Sequence, residues 1–535
     1  MKEVPTADTP PPNPPGPGNW ASRLTDPLHA HTAFSATLLL AGAVMVSRVI
    51  GYLREAYIAY AFGAGPETDA YVAAFTLPDW LNYLAAGGAA SITFIAIYTR
   101  YCAEKREEDA QRAFSIILTV MTAVLTVGVV VGAVFARPIE RVIFPKFTEE
   151  QLDLCVSLTR VLLPAQIFFY AGAIVSAVLM SRRYFLFPAL GPLLYNVGII
   201  LGGVLLGSRL GVASLAVGAL AGCIAGPFLV NVLGAARAGV SYRASFAVRD
   251  PVFLEWLRKS IPLMLGVTLV AADEWILRFF ASGSVGDITR LNYAKRLFAV
   301  PIAVLGQATA QATLPFFAGL YGEKRFGDFA AAINKAVGRV SAVALLATAW
   351  MAAAALPAVD LVYRRGRFQF SDSTETAAYF FWFSLSLAFW AAQGLYARAF
   401  YAAGDTMTPM VAGTVVTLLS LPVYAWLFDA RDVVGLAMAS GVGILAHTVV
   451  LAVLLSRRRL VPLAELPWVE VAKAAATALV AWAAASGVAR MIAIDGSHRA
   501  DLKALALITV TWAGAVAAGL WLTRSQILTW LRRRP

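Results

Sequence analysis

From about residue 34 onward, apolar residues run in stretches of about 20, separated by short polar connections. A stretch of that length, rising about 1.5 Å per residue as a helix, crosses a hydrocarbon layer roughly 30 Å thick. About fourteen such spans are read, centred on Val44, Phe75, Leu125, Phe168, Gly198, Gly222, Leu269, Leu305, Ala347, Leu387, Leu418, Leu445, Leu479 and Thr511. The pattern predicts an all-α polytopic membrane protein. Residues 1–32 break it: they hold Pro10, Pro11, Pro12, Pro14, Pro15 and Pro17 and no apolar segment, and they read as a disordered cytoplasmic tail rather than a signal peptide.

Two landmarks recur at one spacing. The segment Phe62-Gly63-Ala64-Gly65, Asp69-Ala70-Tyr71, Phe75, Leu77-Pro78 is echoed by Phe280-Ala281-Ser282-Gly283, Asn292-Tyr293-Ala294, Phe298, Val300-Pro301. Arg183 to Pro188, opening span 5, is matched by Gly404 to Pro409, opening span 11. Both pairs lie about 220 residues apart. Two six-helix halves follow, over 33–240 and 250–460, with spans 13 and 14 added over 468–525 and a basic cytoplasmic tail at 526–535. Transporter repeats of this kind place the substrate between the halves near the midplane, and rocking exposes it to each side in turn.

Composition narrows the class. Hydrophobic residues make up 59% of the 535 and charged residues 14%, against roughly 25% charged in a soluble domain, so a soluble fold is excluded. The formal net charge of +12 would suggest a nucleic-acid partner. Its carriers, however, cluster in alternate connections: Arg100 to Arg112, Arg237 to Lys259, Arg457 to Arg459 and Arg532 to Arg534. That is a topology signal, which places those connections and both termini in the cytoplasm. Cys102, Cys155 and Cys223 are far apart and the four histidines lack ligand spacing, so no cofactor or metal is expected. No G-x-x-x-x-G-K-[ST] loop and no catalytic constellation is found; the reading is a transporter, not an enzyme, driven by membrane potential, a sodium gradient or a proton gradient.

Charge inside the spans marks the candidate site. Span 1 carries Arg48, Arg54 and Glu55, where a lipid-facing charge would cost about 2.5 to 3.5 kcal/mol. Arg48 and Arg54 would point about 120° apart unless Gly51 bends the helix. They either face substrate or neutralise a carboxylate such as Asp69 or Asp273. Span 7 carries Asp273, Glu274 and Arg278; Glu274 lies one turn from Arg278, which leaves Asp273 as either an ion-coupling group or a latch to Arg48 or Arg54. Arg296, just before Pro301, is expected to face the cavity opposite span 1. His447 reads as a hydrogen-bonded core residue and Asp405-Thr406 as a helix cap; the scattered Trp and Tyr residues fit interfacial belts better than a sugar-stacking platform, with Trp80, Tyr83 and Trp275 within reach of a cavity.

Ser47-Arg48-Val49-Ile50-Gly51-Tyr52-Leu53-Arg54-Glu55, followed by Phe62-Gly63-Ala64-Gly65 and Thr68-Asp69-Ala70-Tyr71, closely resembles the opening motif of the MurJ/MviN family, lipid II flippases of the multidrug/oligosaccharidyl-lipid/polysaccharide exporter superfamily. The likeness continues through Phe187-Pro188-Ala189, Gly283-Ser284-Val285, Tyr293 to Leu297, Gly306 to Pro315, Arg365 to Phe368 and Phe400 to Pro409. It implies movement of an undecaprenyl-diphosphate-linked peptidoglycan precursor across the bacterial cytoplasmic membrane. It also implies a lipid-tail groove formed with spans 13 and 14, and cell-wall synthesis proteins as partners. By motif the family's substrate-binding residues fall on Arg48, Arg54, Asp69 and Arg296, and a planar guanidinium suits a diphosphate. One departure stands out. In span 2 the run Leu77-Pro78-Asp79-Trp80-Leu81-Asn82-Tyr83 holds Asn82 or Tyr83 where the family has arginine, and Gly87 where it has glutamate. Another polyprenyl-diphosphate glycan is therefore the alternative substrate, ahead of a drug for a cation-coupled exporter. The acidic span 11 ligand of the family's sodium site is also missing; Thr417 and Ser420 stand there.

Overall fold

The computed structural model describes residues 33–85, 89–265, 269–492 and 497–527. The tail at 1–32, Gly87 and Gly88, and the last eight residues lie outside them. Every element among the described residues is helical. In chain order these are α1 (Ala33–Phe62), α2 (Pro66–Ala73), α3 (Thr76–Ala85), α4 (Ala89–Ala103), α5 (Glu107–Val134), α6 (Ala136–Ile143), α7 (Glu149–Leu162), α8 (Ala165–Ser181), α9 (Leu186–Leu210), α10 (Ala213–Cys223) and α11 (Asn231–Arg237). There follow α12 (Pro251–Leu265), α13 (Leu269–Ala281), α14 (Asp287–Pro301), α15 (Thr309–Gly322), α16 (Phe326–Ala353), α17 (Ala355–Tyr363), α18 (Phe370–Leu385), α19 (Leu387–Ala402), α20 (Met407–Arg457), α21 (Trp468–Met491) and α22 (His498–Leu522). Two π-helical turns, Ile224–Val230 and Ile302–Ala308, lie at Pro227 and directly after Pro301. A proline has no N–H to give, and the wider turn absorbs the missing bond.

Eight helices among the described residues are long and apolar enough to cross a membrane. One of them, α20, folds back on itself at Asp432, whose φ of 54° breaks the helix, and so supplies spans 11 and 12. Spans 1, 2, 7, 8 and 10 fall instead on helices that are interrupted or carry charge. Span 2 is α2, α3 and α4, with a two-residue turn at Ala74 and Phe75, the centre of its apolar pattern; span 7 is α12 and α13; span 8 is α14, a π turn and α15. Interruption and charge both cost free energy in lipid, and four of these five spans line the site described below.

In the first half, α9 packs on α10 and α1, α8 on α4 and α5, and α2 on α7. In the second, α13 packs on α20, α14 on α18, α15 and α16 on α19, and α17 on α18. The added pair sits on the second half, α21 on α16 and α22 on α21 and α17. α12 packs on α3, α4 and α5, so span 7 begins against the first half and ends, as α13, inside the second. The turn Glu104-Lys105-Arg106, with φ of 58° at Lys105, recurs as Glu323-Lys324-Arg325 with φ of 59° at Lys324. In each turn the arginine bonds the glutamate two residues back and an aspartate three residues on.

Candidate functional site

Asp69 illustrates how the halves meet. It is 1% exposed and accepts hydrogen bonds from the Gly286 N–H, the Thr289 N–H at 2.8 Å and the Thr289 hydroxyl at 2.7 Å. Its carboxylate caps α14 from the other half, where the first N–H groups lack helical partners. Gly286 holds φ of 84°, a conformation that glycine adopts without strain. Nearby, the Arg367 N–H donates to the Tyr60 carbonyl at 3.0 Å and ties α1 to the connection after α17. Asp69 therefore joins the two halves and is not among the residues that line the cavity.

Next to that contact lies a cavity of about 330 Å³ lined from both halves. Arg54, Glu55, Tyr71, Asp79 and Tyr195 come from the first half, and Glu274, Arg278, Asn292 and Arg296 from the second. Spans 1, 2, 7 and 8 line it, and span 5 joins them through Tyr195 and Ile199. Two chains of charge cross it. Glu55 pairs with Arg54 and lies 3.6 Å from the Arg296 guanidinium. Arg278 lies between Asp79 at 3.4 Å and Glu274 at 3.5 Å and donates to the Thr76 hydroxyl at 3.1 Å. With these six side chains ionised, three cations face three anions, and each chain contains a link between the halves.

The arginines differ in what they can still do. Arg54 is held by Asn196, whose Oδ1 accepts from it at 2.8 Å. Arg296 is 46% exposed, enough to turn toward a ligand. Arg48 is exposed and makes no ion pair with a described residue. It lies one turn from Tyr52, whose hydroxyl donates to the Arg296 carbonyl at 3.0 Å, so Arg48 and Arg296 flank one tyrosine. α1 runs unbroken through Gly51.

Asp273 corrects an expectation. It is 1% exposed, and its partners are the Lys295 ammonium, the Tyr424 hydroxyl and the Ser440 hydroxyl at 3.0 Å. All three belong to the second half, so Asp273 neither latches to Arg48 or Arg54 nor stands free; Glu274, half exposed to the cavity, is the less constrained of the two acids. His447, read as a hydrogen-bonded core residue, is buried with neither ring nitrogen bonded among the described residues. Trp275 packs edge-on against Trp80 at 5.8 Å and Tyr83 at 5.7 Å, and none of the three is among the residues that line the cavity. Asn82 donates to Gln166 at 2.8 Å. Thr417 and Ser420 bond back to their own helix. Among the described residues no cluster of His, Cys, Asp or Glu is arranged to hold a metal ion.

A membrane-crossing helical bundle with a charged cavity between repeated halves defines a polytopic transporter. The family profile described as "Lipid II flippase MurJ" matches residues 58–497, and the chain belongs to that family. It is 27% identical over 437 residues to the lipid II flippase MurJ of Burkholderia cenocepacia, covering 79% of this chain and 84% of the relative. It is 25% identical over 420 residues to a probable lipid II flippase MurJ of Rickettsia prowazekii, covering 77% and 81%. Among solved structures, a lipid II flippase MurJ in an inward closed conformation superposes with a TM-score of 0.75 at 20% identity, over 90% of this chain and 99% of that one. An inward-facing multidrug resistance transporter of the MATE family superposes with a TM-score of 0.63 at 17% identity, over 79% and 98%.

Proposed function

We propose that this chain flips a polyprenyl-diphosphate-linked peptidoglycan precursor, lipid II, from the cytoplasmic to the outer leaflet of the bacterial cytoplasmic membrane. The observation that carries the reading is the cavity between the halves, in which Arg54, Arg278 and Arg296 are each matched by a carboxylate. Carboxylates in these places act as stand-in counter-ions. An entering diphosphate replaces Glu55 on Arg296 and recruits the exposed Arg48, which disconnects the Glu55 link between the halves. Exit of the substrate lets the link re-form. Binding and release of the anion thereby trade one set of inter-half contacts for another, as alternating access requires. Both termini lie in the cytoplasm in this reading, on the side of the connections rich in Lys and Arg.

A second reading, a flippase for another polyprenyl-diphosphate glycan, is favoured by one observation: span 2 carries Asn82, bonded to Gln166 of α8, where the family has an arginine. One experiment separates the two. The chain is expressed in a strain depleted of its own precursor flippase, and precursor accumulation in each leaflet is measured. Restored growth with precursor in the outer leaflet supports the first reading; growth arrest with the protein present in the membrane supports the second.

A further inference from the structure

Glu140 is a buried acid with no part in the cavity. It lies on α6, outside the membrane-spanning segments, and is 0% exposed. The helix turns Arg137 and Arg141 outward to Asp153 and Glu149 and turns Ala136, Glu140 and Ile143 inward. The Oε2 of Glu140 has no hydrogen-bond partner among the described residues. An ionised carboxylate in that position would be expensive. The titratable groups facing it are the Cys155 thiol of α7 and the Arg278 guanidinium of α13. Burial pushes its carboxyl up to about 7, with Thr159 and Arg278 pulling the other way. The corresponding acid of the second half, Asp360 on α17, is answered by Arg364 at 3.1 Å; at the same offset from Glu140 stands Phe144.

The other oxygen leads to the cavity. The Thr159 hydroxyl lies 2.9 Å from Glu140 Oε1 and 3.3 Å from the Ala74 carbonyl. It has one hydrogen for these two acceptors. Ala74 needs it, because the residue four positions on is Pro78, which has no N–H to offer. Thr76 and Asp79, the residues that hold Arg278 across the halves, both follow the same break, in the first turn of α3.

We propose that Glu140 is a proton-binding site whose occupancy sets the break in span 2, and through it the bridge to Arg278. With a proton on Oε1, Glu140 donates to the Thr159 oxygen and the Thr159 hydrogen serves Ala74. When that proton leaves to solvent, the Thr159 hydrogen turns to the carboxylate, the Ala74 carbonyl loses its donor, and the segment carrying Thr76 and Asp79 loosens. One proton is bound or released per switch, and nothing else is consumed.

The test uses the full chain in detergent, without lipid substrate, so it is independent of the flippase reading. Nitroxide labels are placed through Glu108→Cys and Gly327→Cys, exposed sites at one end of the two halves, in a Cys102→Ala background. Label-to-label distance and the infrared band of protonated carboxyl groups are followed across about pH 5 to 9. The parent should show a carboxyl band lost as pH rises, together with a shift in distance; Glu140→Gln should lose that band and hold the low-pH distance. Thr159→Val keeps the site but removes the relay, so its band should remain while the distance shift disappears. An unchanged band in Glu140→Gln, a pH-independent parent, or a full shift in Thr159→Val would each overturn the proposal.

Discussion

The Lys295 ammonium lies against the Asp273 carboxylate, and the Tyr424 and Ser440 hydroxyls fill the remaining positions around it. This pair is confined to the second half, and its members depend on each other. Removing one leaves a buried charge without a counter-ion, at a cost of roughly 3 to 5 kcal/mol. Asp273→Asn and Lys295→Met are each expected to lower the thermal unfolding temperature in detergent clearly. The double variant should recover most of the loss, because two neutral groups of similar size need no compensation. If it also flips substrate with the parent's response to sodium and proton gradients, Asp273 has no part in coupling; loss of that response in the double variant and in Asp273→Asn, with Lys295→Met keeping it, would restore that role.

Arg48 and Arg296 are the cations most available to an incoming diphosphate. Each alanine variant is expected to reach the membrane and fail to support growth in a flippase-depleted strain. Arg48→Lys should rescue partly, since an ammonium supplies the charge without the bidentate fork. Arg54→Ala should behave differently: Arg54 is fixed by Asn196 and Glu55, so its loss lowers thermal stability as well as transport. Membrane levels measured beside growth separate the two effects, and normal growth of Arg296→Ala would count against the substrate role.

The spans, the repeat and the arginine-bearing helices were legible in the sequence, because each leaves a local pattern: apolar runs, a constant offset, charge where lipid forbids it. Partner choice was not. Asp273 and Lys295 are 22 positions apart and meet only because α13 and α14 run side by side. Asp69 falls on a substrate-binding position by resemblance, yet it caps a helix of the other half. Asp79 is legible as the residue after Pro78, a carboxylate beside a helix break in an apolar span. The second copy of the Glu-Lys-Arg turn, at Glu323 to Arg325, was equally open to sequence comparison.

Asp405 gives a pH dependence with a definite sign. It sits in the connection before α20, where its carboxylate accepts from the Thr408 N–H at 2.9 Å and hydroxyl at 2.6 Å and pairs with Arg458. Burial alone would raise its carboxyl, but those bonds outweigh it and hold the group below the ordinary aspartate value. A lowered value means that the stabilisation is complete above the unfolded-state value and is lost as pH falls through the folded one. Asp405→Asn should therefore cost stability at neutral pH, and the difference from the parent should shrink as the solution is acidified below about pH 4. A difference that stays constant with pH would assign the effect to packing instead.

The contact between α9 and α10 sets how much crowding the first half tolerates. Gly198 and Gly202 face Gly222 and Gly218, and both pairs are spaced four residues apart on their helices. A Cβ built on Gly202 would lie 2.6 Å from the Gly218 Cα, and one on Gly198 would lie 2.5 Å from the Gly222 Cα. Because the neighbours are backbone, no side chain can move aside, and the helices would have to separate. In lipid that loses the dispersion contacts holding them together, with no water to be released in return. Gly202→Ala and Gly218→Ala should each cost roughly 1 to 3 kcal/mol, seen as a lower unfolding temperature or reduced yield of folded protein. Gly487→Ala and Gly514→Ala are the controls, since a Cβ there would meet nothing within 4 Å. In a helix interior each control should hold or slightly raise stability. Equal behaviour of the two sets would mean that the α9 and α10 backbones are not in contact.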